Sequence, residues 1–239
     1  MVETTTHDHQ LALPGGATAP IAVRRSPRAR RIILRVIEDE PGIELVVPRR
    51  VSLREAFAFA REKAAWVADR LGERPPSIAF APGTQVPYHA GDLALVPRNG
   101  KRAEADRAGA MLFVSGPDTA FSATVTRWLR EDARTVIRPR ASRMAAQLNR
   151  KARRIRIGDP ATRWGSCSST GTLSFSWRLV MAPAPVLEYV IAHEVAHLAE
   201  LNHGPRFWET VEVLVGDSAG PRTWLREHGA TLRRYGRAA

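Results

Sequence analysis

The segment "AHEVAHLAELNHG", residues 192–204, places three of the chain's seven histidines within eleven residues. On a helix, residues four apart lie on one face, about 6 Å apart along the axis. His193 and His197 can therefore direct two ring nitrogens to one ion, while Glu194 is rotated by about 100° and lies beside the open coordination position. This H-E-x-x-H pattern is typical of a catalytic metal site in which the glutamate is the general base.

A third protein ligand must come from outside that helical face. His203 follows His197 by six residues and would point away from it on a continuous helix. The segment "LNHGP", residues 201–205, predicts a turn there, because it combines residues that adopt the left-handed conformation with a proline that cannot continue the helix. The competing ligand is Glu200, which shares the histidine face but lies about 10.5 Å from His193 along the axis. We therefore predict a metal site formed by His193, His197 and His203.

The first part of the chain alternates strand patterns with turn residues. Residues 1–19 are polar and rich in glycine, and we expect them to be loose. Strand-like runs at 30–38 and 42–48 flank the turn residues "DEPG", and together they predict a β-hairpin. Further short strand-like pieces, spaced by glycine and proline, follow the next helix. The pattern favours a β-rich N-terminal module over residues 20–116.

One helix is predicted within this module. The segment "SLREAFAFAREKAAWVADRLGE" carries apolar side chains three and four residues apart, which is typical of a helix packed on one side. Ser52 and Glu55 form a capping box at its start, and Gly72 is placed to end it.

From residue 119 the pattern becomes mainly helical. The first amphipathic helix extends to Leu148, and we expect a kink at Pro139. Two strands are predicted on either side of the loop "RWGSCSSTG", at residues 154–159 and 172–179, and we expect residues 172–177 to be a sheet edge that aligns an extended peptide. Further helices, each opened by a proline, are predicted over residues 185–201, 205–216 and 221–235. We expect an α+β chain whose second domain covers residues 117–239.

The segment "RWGSCSSTGTLSFSWRLVMAPAPVLEYVIAHEVAHLAELNHGPRFW" resembles the YgjP-like metallopeptidase family, relatives of the SprT-like and Wss-like zinc proteases. The stretch "VRRSPRARRIILRV" near the start is similar to the family's N-terminal strands. The resemblance implies a zincin-like C-terminal domain, zinc held by His193, His197 and His203, and Glu194 as the catalytic base. The histidine spacing also matches the metzincins, but they have a glycine where this chain has Glu200.

The predicted chemistry is hydrolysis. Zinc lowers the pKa of a bound water toward about 7, and Glu194 accepts the proton of that water. We expect a zinc-dependent metallohydrolase, and a metallopeptidase in particular. It should bind one Zn²⁺ per chain, although three imidazoles also suit other divalent metals. Two alternatives stay open: a metal-dependent hydrolase of a nucleotide phosphoanhydride, and a nucleic-acid-associated module with a zinc site.

Four further side chains are candidates for the site. Tyr189 lies one turn before His193, where it would donate to a developing oxyanion or pack beneath the site. Arg163 and Arg178 flank the "WGSC" loop and its strand, where they would stabilise anionic charge or face solvent. Cys167 would cap the zinc or serve as a buried structural thiol.

The net charge of +12 comes almost entirely from arginine, because lysine occurs only three times. Arginine binds phosphate and carboxylate oxygens through its planar fork. Nucleic-acid contact is one interpretation of these side chains and a solvated surface is the other. The two densest runs are Arg24, Arg25, Arg28, Arg30, Arg31 and Arg35, and Arg127, Arg130, Arg134 and Arg138.

The sequence also suggests a compartment and a class of partner. The single cysteine excludes an internal disulfide and fits a reducing environment. The N-terminal residues lack the pattern of a secretory signal, and no run approaches the roughly 18 apolar residues of a membrane span. We expect a cytoplasmic protein that acts on a peptide, a protein or a small anionic substrate, without a membrane partner.

Overall fold

The computed structural model describes residues 4–37, 42–72, 76–89, 91–160 and 163–236, apart from the side chains of residues 4–8. Internal contacts divide the chain into two compact units, Met1–Pro75 and Pro76–Ala239. The division differs from the boundary between residues 116 and 117 that the sequence predicts. The strands between residues 85 and 115 share one buried core with the helix that follows them, and this core places them in the second unit.

The first unit contains a four-stranded sheet. Its strands, in the order β1-β2-β4-β3, are β1 (Thr4–Ala12), β2 (Thr18–Ser26), β3 (Ile33–Val36) and β4 (Ile43–Pro48). β3 and β4 pair antiparallel, which confirms the hairpin, although most of the "DEPG" turn lies outside the described residues. β1 lies in the segment that the sequence predicts to be loose, and it pairs antiparallel with β2. The main chain of β1 finds its hydrogen-bond partners in β2. The polar sequence of β1 alone does not predict this strand.

Two helices, rather than the single predicted one, follow this sheet: α1 (Leu53–Glu62) and α2 (Ala64–Gly72). The N–H of Glu55 donates to Ser52 Oγ at 3.2 Å, which confirms the predicted N-terminal cap. The helix is interrupted at Lys63, whose φ of −93° and ψ of 9° leave the helical region. Both helices contribute buried residues to the core of this unit, which contains Leu11, Ile21, Val23, Ile43, Leu45, Val47, Ala56, Ala60 and Val67.

A second four-stranded sheet begins the second unit. Its strands, in the order β5-β6-β8-β7, are β5 (Gln85–Tyr88), β6 (Gly91–Pro97), β7 (Glu104–Ala108) and β8 (Met111–Ser115). The sequence "EADRA" of β7 has no apolar alternation and gives no signal of a strand. β7 forms because β8 offers it a full antiparallel partner, whose Leu112 and Val114 are buried.

The long helix α3 (Phe121–Gln147) joins this sheet to the rest of the unit. Its side chains Val125, Leu129, Ala133, Ile137 and Ala141 recur every four residues and are fully buried. Pro139 lies inside the helix on its exposed side, where water can satisfy the main-chain carbonyl that loses its partner. The helix therefore continues beyond the proline to residue 147.

A small mixed sheet lies against the helix that carries the histidines. It has the order β10-β11-β9, with β9 (Arg154–Gly158), β10 (Gly165–Cys167) and β11 (Thr172–Ser176). The prediction that residues 172–177 form an edge strand is wrong, because β11 pairs with β10 on one side and with β9 on the other. The predicted loop "RWGSCSSTG" contains β10, and β10 is an edge strand of this sheet.

Three helices complete the second unit: α4 (Ala184–Ala196), α5 (Pro205–Val215) and α6 (Ala219–Leu232). α4 ends five residues before the predicted end at residue 201. Just beyond α4 the N–H of Leu198 donates to Val195 O at 2.9 Å and that of Ala199 to Ala196 O at 3.0 Å, both three residues back, while Glu200 makes a last four-residue bond to Ala196 O at 2.9 Å. Within the described residues, no helix is long and apolar enough to cross a membrane.

Arg178 holds together the end of α6 and the loop that follows β9. It is 4% exposed, and its guanidinium donates to both carboxylate oxygens of Asp159, at 2.8 and 3.1 Å. It also donates to the main-chain oxygens of Leu232 at 3.2 Å and Tyr235 at 2.6 Å. All of these partners are internal, so Arg178 stabilises the fold and does not present its charge to a ligand.

Replacing Arg178 by Met is expected to lower the free energy of unfolding by about 3 kcal/mol, because Asp159 loses its charged partner in a partly buried position. Chemical denaturation followed by circular dichroism measures the change. Arg163→Gln is the control, since Arg163 is exposed and its replacement should change the unfolding free energy by less than about 0.5 kcal/mol. Equal stability of the two variants would show that the Asp159 pair contributes nothing.

Candidate metal centre

Three imidazoles converge where α4 ends. His193 lies in the last turn of α4, His197 directly follows that helix, and His203 lies just before α5. The Nε2 atoms of His193 and His203 are 3.1 Å apart, and one ring nitrogen from each of the three histidines lies within 4.8 Å of the others. Ligands of a tetrahedral zinc ion at 2.0–2.1 Å are separated by about 3.3 Å. The donor set therefore fits one metal ion.

The turn between His197 and His203 differs from the predicted one. No residue of the segment 201–205 has a positive φ, so the chain reverses without the left-handed residue that the sequence suggests. Gly204 has a φ of −77° and precedes Pro205, the first residue of α5. The short-range bonds at the end of α4 turn the chain early, and Pro205 then opens the next helix.

The main chain orients the second histidine. Nδ1 of His197 lies 3.0 Å from the main-chain oxygen of Glu200 and donates a hydrogen bond to it, so Nε2 carries the lone pair that a metal binds. Glu200 is the competing ligand that the sequence offers, but its side chain is not part of the histidine group, and its main-chain carbonyl accepts the hydrogen bond of His197 instead.

The first histidine is held in its neutral form. The pKa of His193 is lowered to about 4, first by burial and then by the charges of His197, His203 and Arg222. A neutral imidazole is the form that binds a metal. Nδ1 of His193 is buried and has no hydrogen-bond partner among the described residues.

An aromatic ring packs against all three imidazoles. Phe207, in the first turn of α5, is fully buried, and its ring centroid lies 4.9, 4.5 and 4.6 Å from the centroids of His193, His197 and His203. Contact with all three imidazoles limits the positions that their rings can adopt.

Glu194 packs against the main chain of the edge strand β10. Its side chain is 7% exposed, and a Cβ atom added to Gly165 would lie 2.5 Å from Glu194 Cγ and 2.7 Å from Oε1. Only glycine leaves room for the carboxyl group in this position. Burial raises the pKa of Glu194 to about 7, and the positive charge of Arg163 opposes that shift. The sequence gives no signal that Gly165 touches Glu194.

The other candidate side chains take different places. Tyr189 is 7% exposed, and its ring lies edge-on to that of His193 at 5.9 Å, which is the predicted packing position. Cys167 is half-buried in β10 and lies outside the histidine group, and burial raises the pKa of its thiol. Arg163 is exposed at the start of the "WGSC" segment, near enough to Glu194 to affect its pKa.

Each arginine run is used in part within the fold. Arg24 pairs with Glu44 at 2.7 Å, and Arg25 donates to the main-chain oxygen of Val51 at 2.6 Å. On α3, Arg127 donates to a main-chain oxygen and Arg134 pairs with a glutamate one turn before it. These side chains are therefore not all free to bind a polyanion.

Comparison with known proteins gives one family match. The family model described as "YgjP-like, metallopeptidase domain" matches residues 30–228. No curated protein matches the sequence significantly. Among solved structures, the metallopeptidase zymogen abylysin of Pyrococcus abyssi is similar at 18% identity and a TM-score of 0.34, over 39% of this chain and 93% of that chain. The family match, which spans most of the chain, is the finding on which the assignment depends.

Replacing His203 by Ala is expected to weaken zinc binding by more than about 100-fold, since even the loss of an outer-shell partner costs 10–100-fold. Competition with a zinc-binding dye measures the affinity. His228→Ala is the matched control, because His228 stacks on Trp224 and does not belong to the histidine group. Equal affinities of the two variants would remove His203 from the metal site.

Proposed function

Because the chain belongs to the YgjP-like metallopeptidase family, we propose that it is a zinc-dependent peptidase whose metal is held by His193, His197 and His203. The observation that carries this proposal is the convergence of three imidazoles beside one buried carboxyl group, that of Glu194. A structural zinc ion is normally closed by four protein ligands, whereas a catalytic one has three and keeps a position for the reaction. The group of three among the described residues therefore favours catalysis.

Glu194 is the general base in this proposal. The bound metal supplies a Lewis acid and acidifies the attacking water. Glu194 follows the first ligand on α4, and its carboxylate accepts the proton of that water and passes it to the leaving nitrogen. Its contact with Gly165 fixes the carboxyl group relative to α4, so the base does not have to be ordered when the substrate binds.

The surrounding residues keep the ligands in place. The Glu200 carbonyl holds His197 in the tautomer whose Nε2 can bind a metal, and the Phe207 ring packs against all three imidazole rings. A site prepared in this way loses little entropy when the metal binds. Zinc is the metal that three imidazoles and one open position fit best, and other divalent ions compete through the same nitrogens.

Hydrolysis of a nucleotide phosphoanhydride is the competing hypothesis. The same metal and base would serve that reaction, and the net charge of +12 would attract a phosphate. The family supports the peptide instead. Assays of the zinc-loaded protein on denatured casein, with release of new amines, and on ATP, with release of phosphate, distinguish the two hypotheses.

Replacing Glu194 by Gln is expected to lower kcat on peptides by about 10²–10⁴-fold, the usual contribution of a general base, while one zinc ion per chain is retained. Turnover and elemental analysis on the same sample measure both quantities. Glu209→Gln, an exposed change on α5, should leave both unchanged. Loss of the metal from the Glu194 variant would mean that Glu194 helps to hold the metal and does not act as the base alone.

Replacing Gly165 by Ala is expected to lower kcat by about 100-fold with little change in KM, because the new methyl group displaces the Glu194 carboxyl group by a large fraction of an ångström. Zinc content should stay at one ion per chain. Gly158→Ala on β9 is the matched control, since nothing lies within 4 Å of a Cβ atom there. If both alanine variants turn over at the same rate, the contact with Gly165 does not position the base.

A further inference from the structure

An arginine is fixed at the rim of the metal centre. Arg222 lies in the first turn of α6, and the central carbon of its guanidinium group lies 4.3 Å from the centroid of the Trp208 ring. That indole ring lies in turn 6.0 Å from the rings of both His193 and His203. Stacking on the indole limits the motion of an otherwise exposed side chain and holds its positive charge beside the histidines.

Arg222 has no acidic partner within the described part of the chain. In the same unit, Arg140 pairs with Glu188 and Arg178 pairs with Asp159. No described carboxylate oxygen lies within 4.0 Å of a guanidinium nitrogen of Arg222. No described residue accepts a hydrogen bond from the Arg222 guanidinium group, so its N–H groups are left for a ligand.

A cavity of about 430 Å³ lies near the start of α6, and residues of α3, α4 and the end of α5 line it together with Pro221, which precedes Arg222. Of the two carboxylates in its lining, Glu188 is paired with Arg140 and Asp217 lies just before α6. Tyr189, whose ring touches that of His193, lines the same cavity. The cavity therefore adjoins the histidine cluster through Tyr189 and the start of α6 through Pro221.

We propose that Arg222, supported by Trp208, binds a carboxylate of the peptide substrate, either the C-terminal carboxylate or an acidic side chain. This inference rests on the proposed peptidase function. The planar fork of arginine matches a carboxylate with two hydrogen bonds. The distance from Arg222 to the Trp208 ring and the distance from that ring to the histidines together equal about three residues of an extended peptide. The anionic group therefore lies within about three residues of the scissile bond.

The test uses three hydroxamates that chelate zinc directly and share one dipeptide scaffold. One ends in a free carboxylate, one carries an aspartate side chain and a neutral amide end, and one is neutral throughout. Calorimetry with the zinc-loaded protein should show that at least one carboxylate compound binds about tenfold more tightly than the neutral one, as expected for a charged hydrogen bond. The compound that shows the preference identifies the source of the carboxylate.

Arg222→Gln should abolish this preference and leave the Kd of the neutral hydroxamate almost unchanged. Arg226→Gln is the matched control, because Arg226 lies one turn further along α6, and this variant should keep the preference. No preference in the natural protein, or an equal preference in Arg222→Gln, would overturn the inference. Failure of all three compounds to bind the zinc-loaded protein would contradict the metal site itself, and the inference with it.

Discussion

The metal centre depends on the place where α4 ends. Two ligands one turn apart require a helix, but a third ligand six residues later requires that helix to stop at once. The change to shorter-range hydrogen bonds after Ala196 achieves this, and α5 begins only nine residues later at Pro205. A helix that continued to residue 201 would direct His203 away from the other two imidazoles. The position of the helix end is therefore as important as the identity of the ligands.

A second constraint links the centre to the small sheet. The carboxyl group of Glu194 occupies the space that a side chain at Gly165 would need, so β10 lies against the Glu194 side chain at a distance that only glycine permits. β10 is held by its pairing with β11, and β11 by its pairing with β9. Arg178 then joins the loop after β9 to the end of α6. The base is thus supported through a continuous series of contacts within the second unit.

The sequence predicts the parts of this arrangement that follow from local spacing. The histidine pattern identifies the three imidazoles that converge, and the apolar patterns predict the β3–β4 hairpin and the three C-terminal helices. The rest depends on residues distant in sequence. β7 has a polar sequence and exists because of its partner β8, the division of the chain follows from a core shared between strands and α3, and Gly165 matters only because α4 packs on it. The stacking of Arg222 on Trp208 joins two helices in the same way.

X-ray absorption at the zinc edge of the metal-loaded protein tests the central claim most directly. The account predicts a shell of three imidazole nitrogens at about 2.0–2.1 Å and one oxygen ligand from outside the chain, which is the signature of an open catalytic site. A sulfur scatterer at about 2.3 Å would place Cys167 on the metal, and a fourth imidazole would close the site. Either result would contradict a hydrolytic centre formed by His193, His197 and His203 with Glu194 as its base.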